Sequence, residues 1–189
     1  MKIQSNKEFY EQAIKEYGVS AQGVHWNSKY TQYKRFEIIT KLIRKEIKIS
    51  SIIDVGCGFG EYYNYLLNNN YVAKSFIGVD CEQNMINISR RRFPTVDFFH
   101  QDILTDKLIP ADYYVCSGAL NILNKQEIEL FIAKCFEHSQ KGFIFNYLKN
   151  ETFHDISQDE IIDICKNLTT NIKIKENYLE NDFTILMVK

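Results

Sequence analysis

The chain has 189 residues, 45% hydrophobic and 25% charged, which suffices for one domain with a full core and not for two. Lys and Arg number 23 against 24 Asp and Glu, and a net charge of −1 argues against a nucleic-acid partner. Five scattered cysteines without a CxxC pair argue against a disulfide framework or zinc site. A polar start (MKIQSNKEFYEQ) and no apolar run near the ~20 residues of a membrane span point to a soluble, cytoplasmic protein without a membrane partner.

Lys7 to Tyr17 reads as a helix ended by Gly18, and the turn-rich segment after it holds His25 and Trp26. Tyr30 to Lys48 places Tyr33, Phe36, Ile39, Ile43 and Ile47 at steps of three or four, an amphipathic helix. From Ser51 short apolar runs alternate with amphipathic stretches. Strands are expected at Ser51 to Val55, Ser75 to Val79, Val96 to Phe99, Tyr113 to Cys116 and Gly142 to Tyr147. Helices are expected at Glu61 to Asn68, Asn84 to Arg92, Gln126 to His138 and Gln158 to Asn167. Arg90, Arg91 and Arg92 read as a solvated helix end. Two closing strands, Asn171 to Asn177 and Phe183 to Val188, flank a hairpin-like connection. Strand-helix alternation with near-continuous apolar strands means an α/β fold whose parallel sheet is buried on both faces, with an antiparallel strand added by the closing hairpin.

The strongest motif is Ile52-Ile53-Asp54-Val55-Gly56-Cys57-Gly58-Phe59-Gly60-Glu61, at the junction of the first such strand and the next helix. Glycines at 56, 58 and 60 let the backbone turn sharply and approach a ligand, and the helix N-terminus presents amides to it. A dinucleotide fingerprint requires a glycine where Glu61 stands, and a carboxylate there faces a pyrophosphate badly, so an NAD-dependent oxidoreductase is disfavoured. Asp80 ends the second strand, where a carboxylate can accept from both hydroxyls of a ribose. Asp102 follows the third strand, placed for an exocyclic adenine amine, with the Ile103 amide beside a ring nitrogen.

The DVGCGFG loop, GVD and Gln101-Asp102-Ile103 in this order, followed by Ser117-Gly118-Ala119, resemble the class I S-adenosylmethionine-dependent methyltransferases from about Ser51 onward. The resemblance implies a Rossmann-like three-layer sandwich with a seven-stranded, mostly parallel sheet, its last strand antiparallel, behind N-terminal helices. Residues 1–50 would cover the site and 51–189 would form the catalytic part of one structural domain. The resemblance also implies S-adenosylmethionine as cofactor, with Gly56, Cys57, Gly58, Phe59, Gly60, Asp80, Cys81, Met85, Gln101, Asp102, Ile103, Ser117 and Gly118 near it. Arg35 is either a pairing partner for the cofactor's carboxylate or a surface arginine.

Displacement at an activated sulfonium methyl needs alignment more than a protein nucleophile, and none is signalled. His25 is the candidate base, or simply an exposed turn histidine. Trp26, Tyr30 and Tyr33 either wall an acceptor pocket or pack the N-terminal helix on the sheet. Asn121, Asn146 and Tyr147 are expected to face the crevice beyond the fourth and fifth strands. Asp54 reads as a brace for the glycine loop. Ser117 and Asn146 are poor ligands for a hard cation, so no metal is expected. The resulting reading is methyl transfer to a small molecule. The alternatives are a protein or RNA methyltransferase, whose extra substrate domain is missing, and a noncatalytic protein that only binds the cofactor.

Overall fold

A computed structural model describes residues 29–150, 154 and 156–189. The elements are α1 (Lys29–Ile43), β1 (Ser51–Val55), α2 (Glu61–Asn68), β2 (Ser75–Asp80), α3 (Gln83–Arg92), β3 (Asp97–His100), β4 (Ala111–Ser117), α4 (Lys125–His138), β5 (Ser139–Leu148), α5 (Gln158–Leu168), β6 (Ile172–Glu176) and β7 (Asp182–Val188). Short 3₁₀ turns at Ile47–Ile49 and Ala119–Ile122 precede β1 and follow β4. The helix expected at Lys7 to Tyr17 and the segment with His25 and Trp26 lie outside the described residues. Among the described residues, no helix is long and apolar enough to cross a membrane.

The seven strands form one sheet in the order β3-β2-β1-β4-β5-β7-β6. β1 to β5 pair in parallel, and β7 runs antiparallel to both β5 and β6. The strands alternate their burial between two helical layers. Ile52, Val115, Ile144 and Leu186 pack with Phe36, Ile39 and Tyr62 of α1 and α2, while Ile53, Cys116, Phe145 and Ile185 pack with Ile132 and Cys135 of α4. Chain direction reverses its route through the sheet between β1 and β4, which opens a crevice at the carboxyl ends of the strands.

The long helix expected through Lys48 stops at Ile43. Ile47 is still buried, because the 3₁₀ turn re-aims it into the core before β1 begins. α4 and α5 start at full capping boxes, Asn124 with Glu127 and Ser157 with Glu160, which satisfy donors left open in a first turn.

Candidate active site

Gly56, Gly58 and Gly60 all adopt positive φ (70°, 51° and 77°), so the loop after β1 follows a path closed to most side chains. Gly56 is the tightest point: a Cβ there would lie 2.6 Å from the Ala119 Cβ, in the turn after β4. The loop is held to β2 by the Gly56 and Cys57 amides, which donate to the Val79 carbonyl at 2.9 and 3.0 Å. Arg92, read from sequence as part of a solvated helix end, instead donates to the Phe59 carbonyl at 2.7 Å and pairs with Glu61. Arg90 likewise donates to the Phe98 carbonyl at 2.8 Å. The end of α3 therefore ties to the glycine loop and β3 through Arg92 and Arg90, while Arg90 and Arg91 stay exposed to water as the sequence suggests.

The Asp80 carboxylate is oriented by two amides, Gly58 N–H to Oδ2 and Glu82 N–H to Oδ1, both at 2.9 Å. Burial pushes its carboxyl above the ordinary value. Asp102 is oriented in the same way, accepting at Oδ1 from the Leu104 amide at 2.9 Å. Each carboxylate keeps lone pairs for a ligand. Met85 and Ile103, 2% and 4% exposed, supply apolar wall between them.

These groups line one cavity of about 770 Å³, which runs from the β3 edge to the β7 edge of the sheet. Gly56, Cys57, Gly58, Phe59, Asp80 and Cys81 reach its wall, as do Met85, Gln101, Asp102, Ile103, Ser117 and Gly118. Gly60 does not. It caps α2 with its Cα against the Phe93 and Phe98 rings, and a Cβ there would meet them at 3.0–3.1 Å. The Gln101 amide is committed to the Lys107 carbonyl at 2.9 Å. Cys57 and Cys81 are not thiolates: burial and nearby carboxylates raise the first well above its usual value and the second to about 12.

Asp54 is 3% exposed, its Oδ2 has no hydrogen-bond partner, and the residue lies on the cavity wall. Burial, with Asp80 adding to it, pushes its carboxyl up to about 8. Unpartnered buried polar atoms usually mark a place that something else completes. Ser117 Oγ, also buried and without a partner, is a second such atom on the wall.

The acceptor candidates are redistributed. Tyr30 is exposed and Tyr33 packs edge-on against Tyr65 at 5.6 Å, neither touching the cavity. The cavity-facing stripe of α1 is Gln32, Arg35 and Phe36, and Tyr33 sits about 100° around the helix from Gln32. Asn146 and Tyr147 are not beyond β5 but inside it, fully buried and off the cavity wall. β5 extends to Leu148 because β7 pairs with it that far. Tyr147 packs on Phe183 in the core, while Asn146 sits in a row with Ser117 and Thr184 on the α1 face. Asn121 does line the cavity, and its Oδ1 accepts from the Leu148 amide at 3.2 Å.

Arg35 lines the cavity, and its guanidinium grips Asp182 at the start of β7: Nε donates to Oδ1 and Nη2 to Oδ2, the latter at 2.8 Å. The two side chains are 7% and 3% exposed. Sequence reading missed Asp182, Gln32 and the hairpin tip Leu179 to Asn181, all on the wall. The spacing of Gln32 one helical turn before Arg35 was the available signal for the first. Among the described residues, no three His, Cys, Asp or Glu side chains gather as metal ligands.

A family model described as a methyltransferase domain matches residues 52–142. A Mycobacterium tuberculosis protein, Rv1506c, whose name describes it as a methyltransferase, is 27% identical over 74% of this chain and 93% of its own length. Among solved structures, a TehB-like S-adenosylmethionine-dependent methyltransferase from Corynebacterium glutamicum superposes with a TM-score of 0.70 at 14% identity, covering 97% of both chains. The magnesium protoporphyrin IX methyltransferase of Synechocystis, solved with bound S-adenosylmethionine, gives 0.69 at 15% identity, over 98% of this chain and 85% of that one.

Proposed function

We propose that the chain is a class I S-adenosylmethionine-dependent methyltransferase and that it methylates a small molecule by in-line displacement without a metal ion. The observation that supports this is the continuity of the cavity: ligand groups for an adenosyl donor end β1, β2 and β3, and the same space continues under α1 to the ends of β4, β5 and β7. Its volume, about 770 Å³, falls within the roughly 300–1,000 Å³ of small-molecule sites. Residues 1–50 act in this reading as a cover, of which α1 is the described part, over a catalytic unit spanning 51–189.

The residues fit the cofactor on their own chemistry. Asp80 would hold the ribose hydroxyls, with its carboxylate already aimed by the Gly58 and Glu82 amides. Asp102 and the Ile103 backbone would read the adenine edge, while Met85 and Ile103 flank the ring. The glycine loop leaves room for the methionine tail, and the unpartnered Asp54 carboxyl suits a positive centre there. S-adenosylmethionine supplies a sulfonium methyl already activated for displacement. What remains for the protein is to align the acceptor behind that methyl and to exclude water, a task that would fall to α1 and the turn after β4, which line the cavity.

Calorimetry with S-adenosylhomocysteine tests the donor half. The protein should bind it and ignore NAD. Asp80→Ala should lose about 1.5–3 kcal/mol of binding for each charge-assisted hydrogen bond removed, and Asp80→Asn should lose less, since it can still accept from the Gly58 amide. Equal affinity in Asp80→Ala and the parent would remove the ribose assignment.

A further inference from the structure

We propose that the methyl acceptor is an amine on an apolar body, held by Gln32 and Glu180 at the β4–β5–β7 end of the cavity. The proposal rests on the small-molecule reading above and gives it a substrate class. Gln32 is 4% exposed and lies on the cavity wall, and its carboxamide makes no hydrogen bond among the described residues. A carboxamide on the cavity wall that bonds no neighbouring group keeps both its acceptor and its donors for a ligand that enters. Ser117 Oγ, at the same end, is buried and unpartnered as well. Glu180 stands at the tip of the β6–β7 hairpin, exposed, on the cavity wall, and in no ion pair or hydrogen bond among the described residues.

Charge then selects the ligand. Arg35 is the only basic side chain among the described residues of the wall, and Asp182 engages it through two of its nitrogens. Glu127 and Glu180 share the acceptor end with that pair, and Glu127 is further tied to the Asn124 amide. Among the described residues of the wall, a carboxylate or phosphate acceptor would meet carboxylates and one guanidinium already paired with Asp182. An amine instead finds Gln32 Oε1 as an acceptor for its N–H and Glu180 as its counter-charge. Leu123, Leu148 and Leu179 line the space around them, which calls for an apolar body. For transfer, the bound ammonium first gives a proton to Glu180 or to water at the rim. Its nitrogen lone pair then forms the N–C bond as the C–S bond breaks, the electron pair remains on sulfur as a thioether, and the methylated nitrogen carries the positive charge.

The test is calorimetric titration of the protein, saturated with S-adenosylhomocysteine, with three probes: 2-phenylethylamine, 2-phenylethanol and 3-phenylpropanoate. The amine should bind tightest and the acid weakest. Glu180→Lys should weaken the amine by about two- to fivefold and strengthen the acid, as an exposed charge contact allows. Gln32→Leu should weaken the amine and the alcohol together, with retained affinity for S-adenosylhomocysteine reporting a folded variant. Overturning results are an acid or alcohol that equals the amine, no binding of the amine at millimolar concentration, or an order of affinities that Glu180→Lys leaves intact. A parent protein that fails to bind S-adenosylhomocysteine defeats the function reading itself; one that binds it without preferring the amine defeats only this proposal.

Discussion

Asp54→Asn should abolish a pH-dependent loss of stability. The Asp54 carboxyl is buried, its Oδ2 is unpartnered, and burial together with Asp80 raises it from 3.8 to about 8. Between those values the native state keeps a proton that the unfolded chain has released. The native state therefore binds more protons, and stability falls as pH rises through this window, levelling only above the folded value. A shift of about four units, at about 1.4 kcal/mol each, sets a ceiling of about 6 kcal/mol on the loss. Asn keeps the shape and cannot ionise. Urea denaturation of parent and variant from pH 4 to pH 9 reads the difference: the curves should lie close together near pH 4, separate steadily as pH rises toward about 8 and run parallel above it, with the variant more stable. Asp80 is raised too, but it is present in both proteins and cancels in the comparison. Parallel curves across the range would refute the reasoning. A second readout follows from the same group. If the ligand's ammonium settles beside Asp54, binding of S-adenosylhomocysteine at pH 7 should release a proton, visible as a buffer-dependent calorimetric enthalpy that Asp54→Asn reduces.

Arg35→Met should destabilise the protein by about 3–5 kcal/mol, because it leaves the Asp182 carboxylate buried without its guanidinium; adding Asp182→Leu should recover most of the loss in a urea melt. Gly78→Ala should cost about 1–3 kcal/mol by overpacking, since the new Cβ would lie 2.4 Å from the Phe98 ring and 3.0 Å from Cys57 Sγ. Because Cys57 belongs to the glycine loop, the same variant should weaken S-adenosylhomocysteine, and Phe98→Leu in the same chain should restore part of both.

β1 and α2 fall where the sequence places them, at Ser51–Val55 and Glu61–Asn68, because a buried apolar run and a glycine-rich turn leave little freedom there. Asp80 and Asp102 were legible for a related reason: Asp80 is the last residue of β2 and Asp102 lies two residues past β3, so the fold alone carries each to the carboxyl edge. α1 was harder. Its hydrophobic period runs on to Ile47, but periodicity reports which side chains are buried and not which hydrogen bonds bury them, and the 3₁₀ turn satisfies the same pattern. The apolar stripe also drew attention to Tyr33, whereas the side of α1 that meets the cavity carries Gln32 and Arg35 beside Phe36, the one member of that stripe to reach it. Asp182 and Glu180 carry no local signal at all. They reach the site only because β7 inserts between β5 and β6, a long-range pairing that turn chemistry cannot announce.

The two halves of the cavity are built by different means, and this bears on how substitutions will sort. At the donor half, backbone amides fix the carboxylates: Gly58 and Glu82 hold Asp80, and Leu104 holds Asp102. Such positions depend on the sheet edge and tolerate little movement, as a common donor requires. The half proposed for the acceptor is assembled from a helix packed across the sheet and from a hairpin tip, joined by the side chains of Arg35 and Asp182. The hairpin tip is tied in turn to the segment after β5, through Asn181 and Asn150. Changes at Gln32 or Glu180 should then alter acceptor affinity while donor affinity holds, and changes at Asp80 should do the reverse. Arg35 stands between the two halves and should disturb both, since α1 loses its anchor to β7 when the guanidinium is gone.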